Sequence, residues 1–362
     1  MLVPSYISSL LPYIPGKPIE EVEREYGVSN VAKLASNENA LGPSPRALAA
    51  AQEACASVHL YPDGSAFHLK RALAAKLGVT AEEISVGNGS NELLELVVRT
   101  FVCEGEETLT SAQSFVVYRL ASQAHGRTCV EVPMVDHGYD LPAMAERIGP
   151  KTKVVFVANP DNPNGTWVGR GALNAFLDAV PRTTLVVLDE AYVEFVTERD
   201  FPDGLELRRR HPNVLVCRTF SKIHGLAGLR LGYMVADPEI IQFVERVRAP
   251  FNVNLVALAA GVAALSDDAH VARSRELVET ERPRLVDGLK RLGAVPVRSQ
   301  TNFVLADFPG RPAPQLFDAL LRQGVVVRPM HGYGYGTAQR ITIGLPHENE
   351  KLLAALGRVL GT

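Results

Sequence analysis

The sequence has few of the features that mark secreted, metal-binding or membrane proteins. It contains four cysteines in 362 residues and no CxxC pair, which argues against a disulfide framework and against a zinc site. The histidines also show no metal-ligand spacing. No stretch reaches the roughly 18 uncharged apolar residues that a membrane span needs, and the first residues lack the basic segment of a signal peptide. We therefore expect a cytoplasmic protein without a metal.

Charge of one sign is also scarce, because the formal net charge is only −3. No strong field draws such a chain to nucleic acid or to an anionic membrane surface, so a small-molecule ligand is expected. Hydrophobic residues make up 46% of the chain, as in a globular protein with a sizeable core. The length suits one large domain and one smaller domain.

From about residue 46 to residue 330, short apolar segments alternate with helical patterns. The predicted strands are 84–86, 107–110, 129–133, 153–158, 184–188 and 214–217. Continuous apolar strands between helices are typical of a largely parallel sheet that is covered on both faces. The sequence therefore predicts an α/β doubly wound domain that binds ligands beyond the carboxyl ends of its strands.

Three regions are expected along the chain. Residues 1–30 are rich in proline and predict an N-terminal arm that packs on a neighbouring subunit. Residues 31–250 predict the large α/β domain, and residues 251–362 a smaller α+β domain. In that last region we expect helices at 255–265, 269–292, 313–322 and 348–360, and strands at 302–307, 325–328 and 340–343.

Two of the loops that follow predicted strands suit a ligand. Residues 87–92 read Gly-Asn-Gly-Ser-Asn-Glu before a helix, and backbone N–H groups there could hold a phosphate. A simple turn with Ser90 as N-cap is the alternative, and the glycine spacing fits neither a P-loop nor a dinucleotide-binding fingerprint. Residues 159–165 read Asn-Pro-Asp-Asn-Pro-Asn-Gly, which could present an Asn side chain rigidly or form an ordinary tight connection.

The next two strand ends carry a carboxylate and an amine. Asp189 follows four apolar residues, and an unpaired carboxylate at the edge of a core favours a cationic partner. Serving as a helix cap is the alternative. Lys222 follows the hydroxyl residues Thr219 and Ser221, with glycines and Arg230 after it. It is either a solvated surface lysine or a partly desolvated amine, and an amine of the second kind forms Schiff bases readily.

These motifs, in this order and spacing, resemble the fold-type I aminotransferases that use pyridoxal 5'-phosphate (PLP). They are Asn-Pro-x-Asn-Pro-x-Gly at 159–165, Asp-Glu-Ala-Tyr at 189–192, and Ser-Lys followed by Arg230. The segments 12–17, 34–39, 61–64 and 340–344 are similar to those of histidinol-phosphate aminotransferases. The resemblance covers nearly the whole chain and implies a large PLP-binding domain with a mostly parallel sheet.

The resemblance also implies roles for individual residues. Lys222 would hold PLP as a Schiff base and later carry a proton, while Asp189 would keep the pyridine nitrogen protonated. Asn162 and Tyr192 would bind the 3'-oxygen of the ring, and Phe115 would stack on it.

Two further groups of residues follow from the same resemblance. Those expected around the cofactor phosphate are Gly89, Ser90, Asn91, Ser221, Arg230 and, from the partner subunit, Tyr61. Those expected around the substrate are Arg340, Arg328, Asn37 and, from the partner subunit, Tyr13. A homodimer with shared active sites is implied.

The expected reaction converts histidinol phosphate and 2-oxoglutarate to imidazole-acetol phosphate and glutamate, as in histidine biosynthesis. An aminotransferase for phenylalanine or tyrosine is the alternative, because an arginine fork matches a carboxylate as well as a phosphate. Two remoter alternatives are a PLP-dependent decarboxylase of a phosphorylated amino acid and a ligand-binding protein without enzymatic activity.

Overall fold

The computed structural model describes residues 2–11 and 16–361. The helices are α1 (Ser5–Ser8), α2 (Ile19–Tyr26), α3 (Pro45–Ala54), α4 (Phe67–Leu77), α5 (Ser90–Phe101), α6 (Val117–Ala124), α7 (Leu141–Arg147), α8 (Arg170–Ala179), α9 (Gly204–Arg210), α10 (Pro238–Val247), α11 (Leu255–Leu265), α12 (Asp268–Arg291), α13 (Ala313–Leu321) and α14 (Pro346–Leu360). The strands are β1 (Ala32–Lys33), β2 (Ile84–Gly87), β3 (Glu107–Ser111), β4 (Thr128–Val132), β5 (Thr152–Ala158), β6 (Leu185–Asp189), β7 (Val214–Thr219), β8 (Gly232–Val235), β9 (Val295–Pro296), β10 (Phe303–Asp307), β11 (Val325–Val326), β12 (Arg328–Pro329) and β13 (Ala338–Thr342).

Seven strands form the large sheet, in the order β2-β8-β7-β6-β5-β3-β4. The pairs β3–β4, β3–β5, β5–β6 and β6–β7 are parallel, and only β8 runs against its two neighbours. This confirms the predicted α/β fold with a largely parallel sheet. Strand β8 was missed, because it follows the loop after β7 without an intervening helix.

Both faces of the large sheet are buried, which explains why its strands are apolar without alternation. On β5, Val155 and Val157 pack into one hydrophobic cluster, whereas Val154 and Phe156 pack into the cluster on the other face. Some helices begin at a capping side chain, such as α3, where the Ser44 side chain accepts a hydrogen bond from the backbone N–H of Ala47.

The smaller sheet has the order β12-β13-β10-β9 and is antiparallel, and β1 pairs in parallel with β11. The predicted single strand at 325–328 is wrong. Val325 and Val326 pair with β1, whereas Arg328 and Pro329 pair with β13, so the chain changes sheets at Val327.

The packing of two helices bears on the predicted regions. Helix α11 packs on α3 and α4, and its Ala257, Ala260 and Ala264 lie in a core cluster of the large sheet. We therefore propose that the domain boundary falls after α11, later than the predicted division at residue 250.

In the arm, Val22 of α2 is buried against Leu321 and Val326 of the same chain, so this helix packs within its own subunit.

Among the described residues, no single helix is long and apolar enough to cross a membrane. Only α11 and α12 taken together pass such a test, and they meet at a bend of 80°.

Candidate active site

A cavity of about 270 Å³ opens at the carboxyl edge of the large sheet, between that sheet and the smaller one. Twelve of the residues expected in a site line it. They are Asn37, Ser90, Asn91, Phe115, Asn162, Asp189, Tyr192, Ser221, Lys222, Arg230, Arg328 and Arg340. Parallel strands end at one edge of a sheet, so loops that are far apart in sequence meet there.

Asp189 is the last residue of β6 and is 4% exposed. Its Oδ2 accepts a hydrogen bond of 2.8 Å from the Tyr118 hydroxyl, and its Oδ1 accepts one of 3.2 Å from the N–H of Ala191. Burial raises the pKa of Asp189 to about 6, although the Tyr118 hydrogen bond opposes the rise. Since no ion pair to Asp189 is found in residues 2–11 and 16–361, the carboxylate suits a cationic ring nitrogen.

Lys222 follows the neighbouring strand β7. Its Nζ donates to the carbonyl oxygen of Ser36 at 3.2 Å and lies 5.7 Å from the centroid of the Tyr192 ring. Burial, together with the positive charges of Arg340 and Arg230, lowers the pKa of Lys222 to about 8. An amine with a pKa in this range is partly neutral near pH 7 to 8, as a nucleophile or a general base requires.

The N-terminus of α5 and the loop before β8 bring backbone N–H groups next to the guanidinium of Arg230. We call this arrangement the phosphate cradle. Gly89 has φ +82°, and a Cβ there would lie 2.4 Å from Nη2 of Arg230. A Cβ on Gly232 would lie 2.5 Å from the backbone N of Ser90. Glycine at these two positions therefore lets Arg230 and β8 approach the first turn of α5, whose N-cap has no side-chain hydrogen bond. Exposed N–H groups beside a guanidinium suit a phosphate.

Two polar side chains flank the space between the Lys222 amine and the Asp189 carboxylate. Asn162 Oδ1 accepts a hydrogen bond of 2.6 Å from Arg340 Nη1, which leaves the Asn162 amide nitrogen to donate to a ligand. The Tyr192 hydroxyl accepts from Asn37 Nδ2 at 3.0 Å. Burial raises the pKa of Tyr192 to about 12, so its hydroxyl keeps its proton and can donate.

Arg328 and Arg340 face each other across the pair β12–β13. Like charges directly opposite on two strands repel, so this arrangement favours an anion between them or beside them. Arg340 is 8% exposed and is positioned by a 2.7 Å hydrogen bond to the carbonyl oxygen of Ala35. The two arginines therefore suit an anion on the small-domain side of the cavity, and we call this pair the anion site.

Three of the expected residues do not line the cavity or are not described. Gly89 shapes the cradle from behind Ser90. Tyr61 is 84% exposed and stacks on Phe251 with ring centroids 5.0 Å apart, outside the cavity. Tyr13 lies outside the described residues.

Sequence reasoning missed Tyr118, which is fully buried on α6. Its ring stacks on Phe156 with centroids 4.7 Å apart and an interplanar angle of 3°, and this contact aims its hydroxyl at Asp189. Tyr118 comes three residues after Phe115, just inside α6, and the two rings meet edge to face with centroids 5.7 Å apart. That spacing was the one available signal.

Sequence reasoning also missed the polar network that holds the 159–165 loop. The carboxylate of Asp161 is buried and accepts hydrogen bonds from Ser114 Oγ at 2.6 Å and from Asn164 Nδ2 at 2.7 Å. The Tyr335 hydroxyl donates to Asn164 Oδ1 at 2.7 Å. A residue of the small domain is thus tied to the loop that carries Asn162.

The sequence profile described as aminotransferase class I and II matches residues 29–356 of the chain. The chain is 68% identical to a histidinol-phosphate aminotransferase of an Anaeromyxobacter species, over 99% of each protein. It is 49% identical to the histidinol-phosphate aminotransferase of Moorella thermoacetica, over 98% of the chain and 92% of that protein.

A solved structure is also similar over almost the whole chain. It is the crystal structure of histidinol-phosphate aminotransferase from Sinorhizobium meliloti in complex with pyridoxal-5'-phosphate. The two chains are 33% identical and superpose with a TM-score of 0.90, over 99% of this chain and 98% of that one.

Proposed function

The chain belongs to the class I and II aminotransferase family, and on that basis we propose that it transfers the amino group of histidinol phosphate to 2-oxoglutarate. The products are imidazole-acetol phosphate and glutamate, a reaction of histidine biosynthesis. The observation that carries this proposal is the meeting of three groups in one cavity: the Lys222 amine, the buried Asp189 carboxylate and the opposed pair Arg328 and Arg340.

We infer that PLP is the cofactor, because the residues around the cavity fit each of its parts. The cradle at Ser90 and Arg230 fits the phosphate, and the carboxylate of Asp189 fits a protonated ring nitrogen. The Asn162 amide and the Tyr192 hydroxyl are donors for the ring oxygen. When bound, PLP supplies an aldehyde that condenses with amines and a cationic ring that withdraws electrons from the substrate's Cα.

The chain's own side chains perform the remaining work. The amine of Lys222 would hold the cofactor. Once released, it would act as the base that takes the proton from the substrate's Cα and as the acid that gives it back, a task suited to a pKa of about 8. Asp189 would keep the ring nitrogen protonated, because its buried carboxylate forms no ion pair among the described residues.

Arg340 and Arg328 bind the phosphate end of the substrate. Guanidinium groups bind phosphate through parallel charge-assisted hydrogen bonds, which fix the orientation of the substrate as well as its position. With the phosphate held on the small-domain side and the amine at Lys222, Cα lies within reach of the base.

A substrate panel on the purified, PLP-loaded protein tests the proposed function. With 2-oxoglutarate as acceptor, we expect histidinol phosphate to have a higher kcat/KM than phenylalanine or tyrosine. Turnover of phenylalanine or tyrosine without turnover of histidinol phosphate would instead establish an aromatic amino acid aminotransferase. Release of CO2 without a keto acid would establish a decarboxylase.

We also propose a homodimer in which Tyr61 completes the phosphate cradle of the partner subunit. In support, Tyr61 is exposed together with Val58, Leu60 and Phe251 in one apolar region, and exposed apolar regions commonly mark interfaces. Mixed Tyr61→Phe and Lys222→Ala proteins should regain activity through hybrid dimers. No recovery on mixing would contradict a shared site.

A further inference from the structure

The cavity carries an uneven distribution of charge. Its described lining includes two carboxylates, Asp189 and Glu38. It also includes four cationic side chains, namely Lys222, Arg230, Arg328 and Arg340. Asp189 is buried and serves the cofactor side. Glu38 is different, because its side chain is 43% exposed at the mouth of the cavity, and none of the steps above uses it.

The backbone holds Glu38 firmly in place. Asn302 Nδ2 donates to the carbonyl oxygens of both Asn37 and Glu38, at 3.1 Å and 3.2 Å. Asn37 is fixed further by a 2.9 Å hydrogen bond from its N–H to Thr342 Oγ1. The backbone position of Glu38 is therefore set by the small sheet, which also carries the two arginines of the anion site.

One carboxylate oxygen of Glu38 is available to a ligand. Oε1 accepts a 2.7 Å hydrogen bond from Lys33 Nζ. Oε2 has no hydrogen-bond partner within residues 2–11 and 16–361. A carboxylate has about four lone-pair sites, so the ion pair with Lys33 leaves Glu38 able to accept further hydrogen bonds.

Three groups branch from Cα of the proposed substrate, and the site accounts for two of them. The amino group meets Lys222, and the phosphate arm meets Arg340 and Arg328. The third group is the imidazole arm. Among the lining residues left for it, Glu38 is the one carboxylate, and Tyr333 is the other residue with an ionisable side chain.

We propose that Glu38 is the specificity-determining residue that accepts a hydrogen bond from the imidazole ring of the substrate. This inference rests on the proposed function. Imidazole carries an N–H donor, and phenyl carries none. A site built around a polar partner disfavours an analogue that leaves this partner unpaired. Glu38 therefore separates histidinol phosphate from phenylalanine-like donors, which the anion site alone does not do.

A ring-exchange experiment measures this contact in isolation. The two amino donors are histidinol phosphate and 2-amino-3-phenylpropyl phosphate, which keeps the amine and phosphate and replaces imidazole by phenyl. We expect Glu38→Ala to lower kcat/KM about tenfold for the imidazole donor and to leave the phenyl donor unchanged. Dissociation constants of both donors, measured by calorimetry on the PLP-loaded proteins, should show the same preference.

Lys33→Met is the matched control, because it removes the same ion pair and keeps the carboxylate. It should retain the wild-type preference for imidazole over phenyl. Two results would overturn the role of Glu38. One is that Glu38→Ala lowers kcat/KM equally for both donors. The other is that Lys33→Met loses as much of the preference for imidazole over phenyl as Glu38→Ala does. If the wild-type protein does not turn over histidinol phosphate, the proposed function fails instead, so the two failures are distinguishable.

Discussion

The two sides of the cavity place their functional residues on the strands in different ways. On the large-domain side, each functional residue follows its own strand of one sheet: Ser90 after β2, Asn162 after β5, Asp189 on β6 and Lys222 after β7. On the other side, Arg328 and Arg340 lie within paired strands of the small sheet. We call these the cofactor side and the substrate side.

The difference indicates that the two sides have separate roles. The cofactor side is held by a sheet that is buried on both faces, which suits chemistry that must not change. The substrate side consists of charged residues on a smaller sheet and of the segment that carries Glu38, so it can vary without disturbing the chemistry. The hydrogen bond from Arg340 to Asn162 is one direct link between the two sides.

The largest expected effect is on the cofactor side. Asp189→Asn keeps the shape of the side chain but removes its charge, so we expect kcat to fall about 1000-fold. The folded-state pKa of about 6 lies above the ordinary value of 3.8, so the stability from this group is lost as the pH rises through about 6. The cofactor-free variant should therefore unfold at pH 8 at a temperature no lower than that of the wild type.

The second prediction concerns the substrate side. Arg340→Gln should raise KM for histidinol phosphate about 100-fold, because charge-assisted hydrogen bonds to the phosphate are lost. PLP affinity should change little. The exposed Arg322, which pairs with Asp318 on α13, gives the control Arg322→Gln. A loss of PLP affinity as large as the rise in KM would contradict the separation of the two sides.

The third prediction tests the positioning of Asp189. Tyr118→Phe keeps the stack on Phe156 and removes the 2.8 Å hydrogen bond, so kcat/KM should fall about tenfold. A donor to the carboxylate lowers its pKa, so its loss should move the pH midpoint for PLP affinity upward. Tyr139→Phe removes another buried hydroxyl, which contacts Ser114 and the N–H of Ala158, and should not move that midpoint. Identical shifts in the two variants would exclude a specific role for Tyr118.

The smallest effect is a shift in the pH dependence of PLP uptake. Burial lowers the pKa of Lys222 from 10.5 to about 8, so the neutral, reactive amine predominates above about pH 8. The rate constant for uptake by the cofactor-free protein, measured by stopped-flow absorbance, should rise with pH and level off just above 8. With N-acetyl-lysine in place of the protein, the rate should keep rising toward pH 10.5. The same profile for both amines would contradict the lowered pKa.

The sequence was more informative about the cofactor side than about the substrate side. Asp189 and Lys222 follow apolar strands, and parallel strands bring their ends together whatever the details of packing. The facing of Arg328 and Arg340 depends on the register of short strands in the small sheet, which periodicity does not predict. These two arginines were expected only from the resemblance.

Two other residues show what local patterns omit. The hydrogen bond between Tyr118 and Asp189 joins positions 71 residues apart. The place of Glu38 at the cavity mouth depends on Asn302, 264 residues further along the chain. The domain boundary was also not predictable from local sequence, because the apolar sequence of helix α11 did not indicate which sheet the helix would cover.

The proposed chemistry depends on a covalent bond between the amine of Lys222 and the cofactor. The most direct test of this bond is borohydride reduction of the PLP-loaded protein, followed by proteolysis and mass spectrometry, with Lys222→Ala as the control. We expect one modified peptide, labelled at Lys222 and absent from the variant. A label on another lysine, or no label on the wild-type protein, would contradict the account.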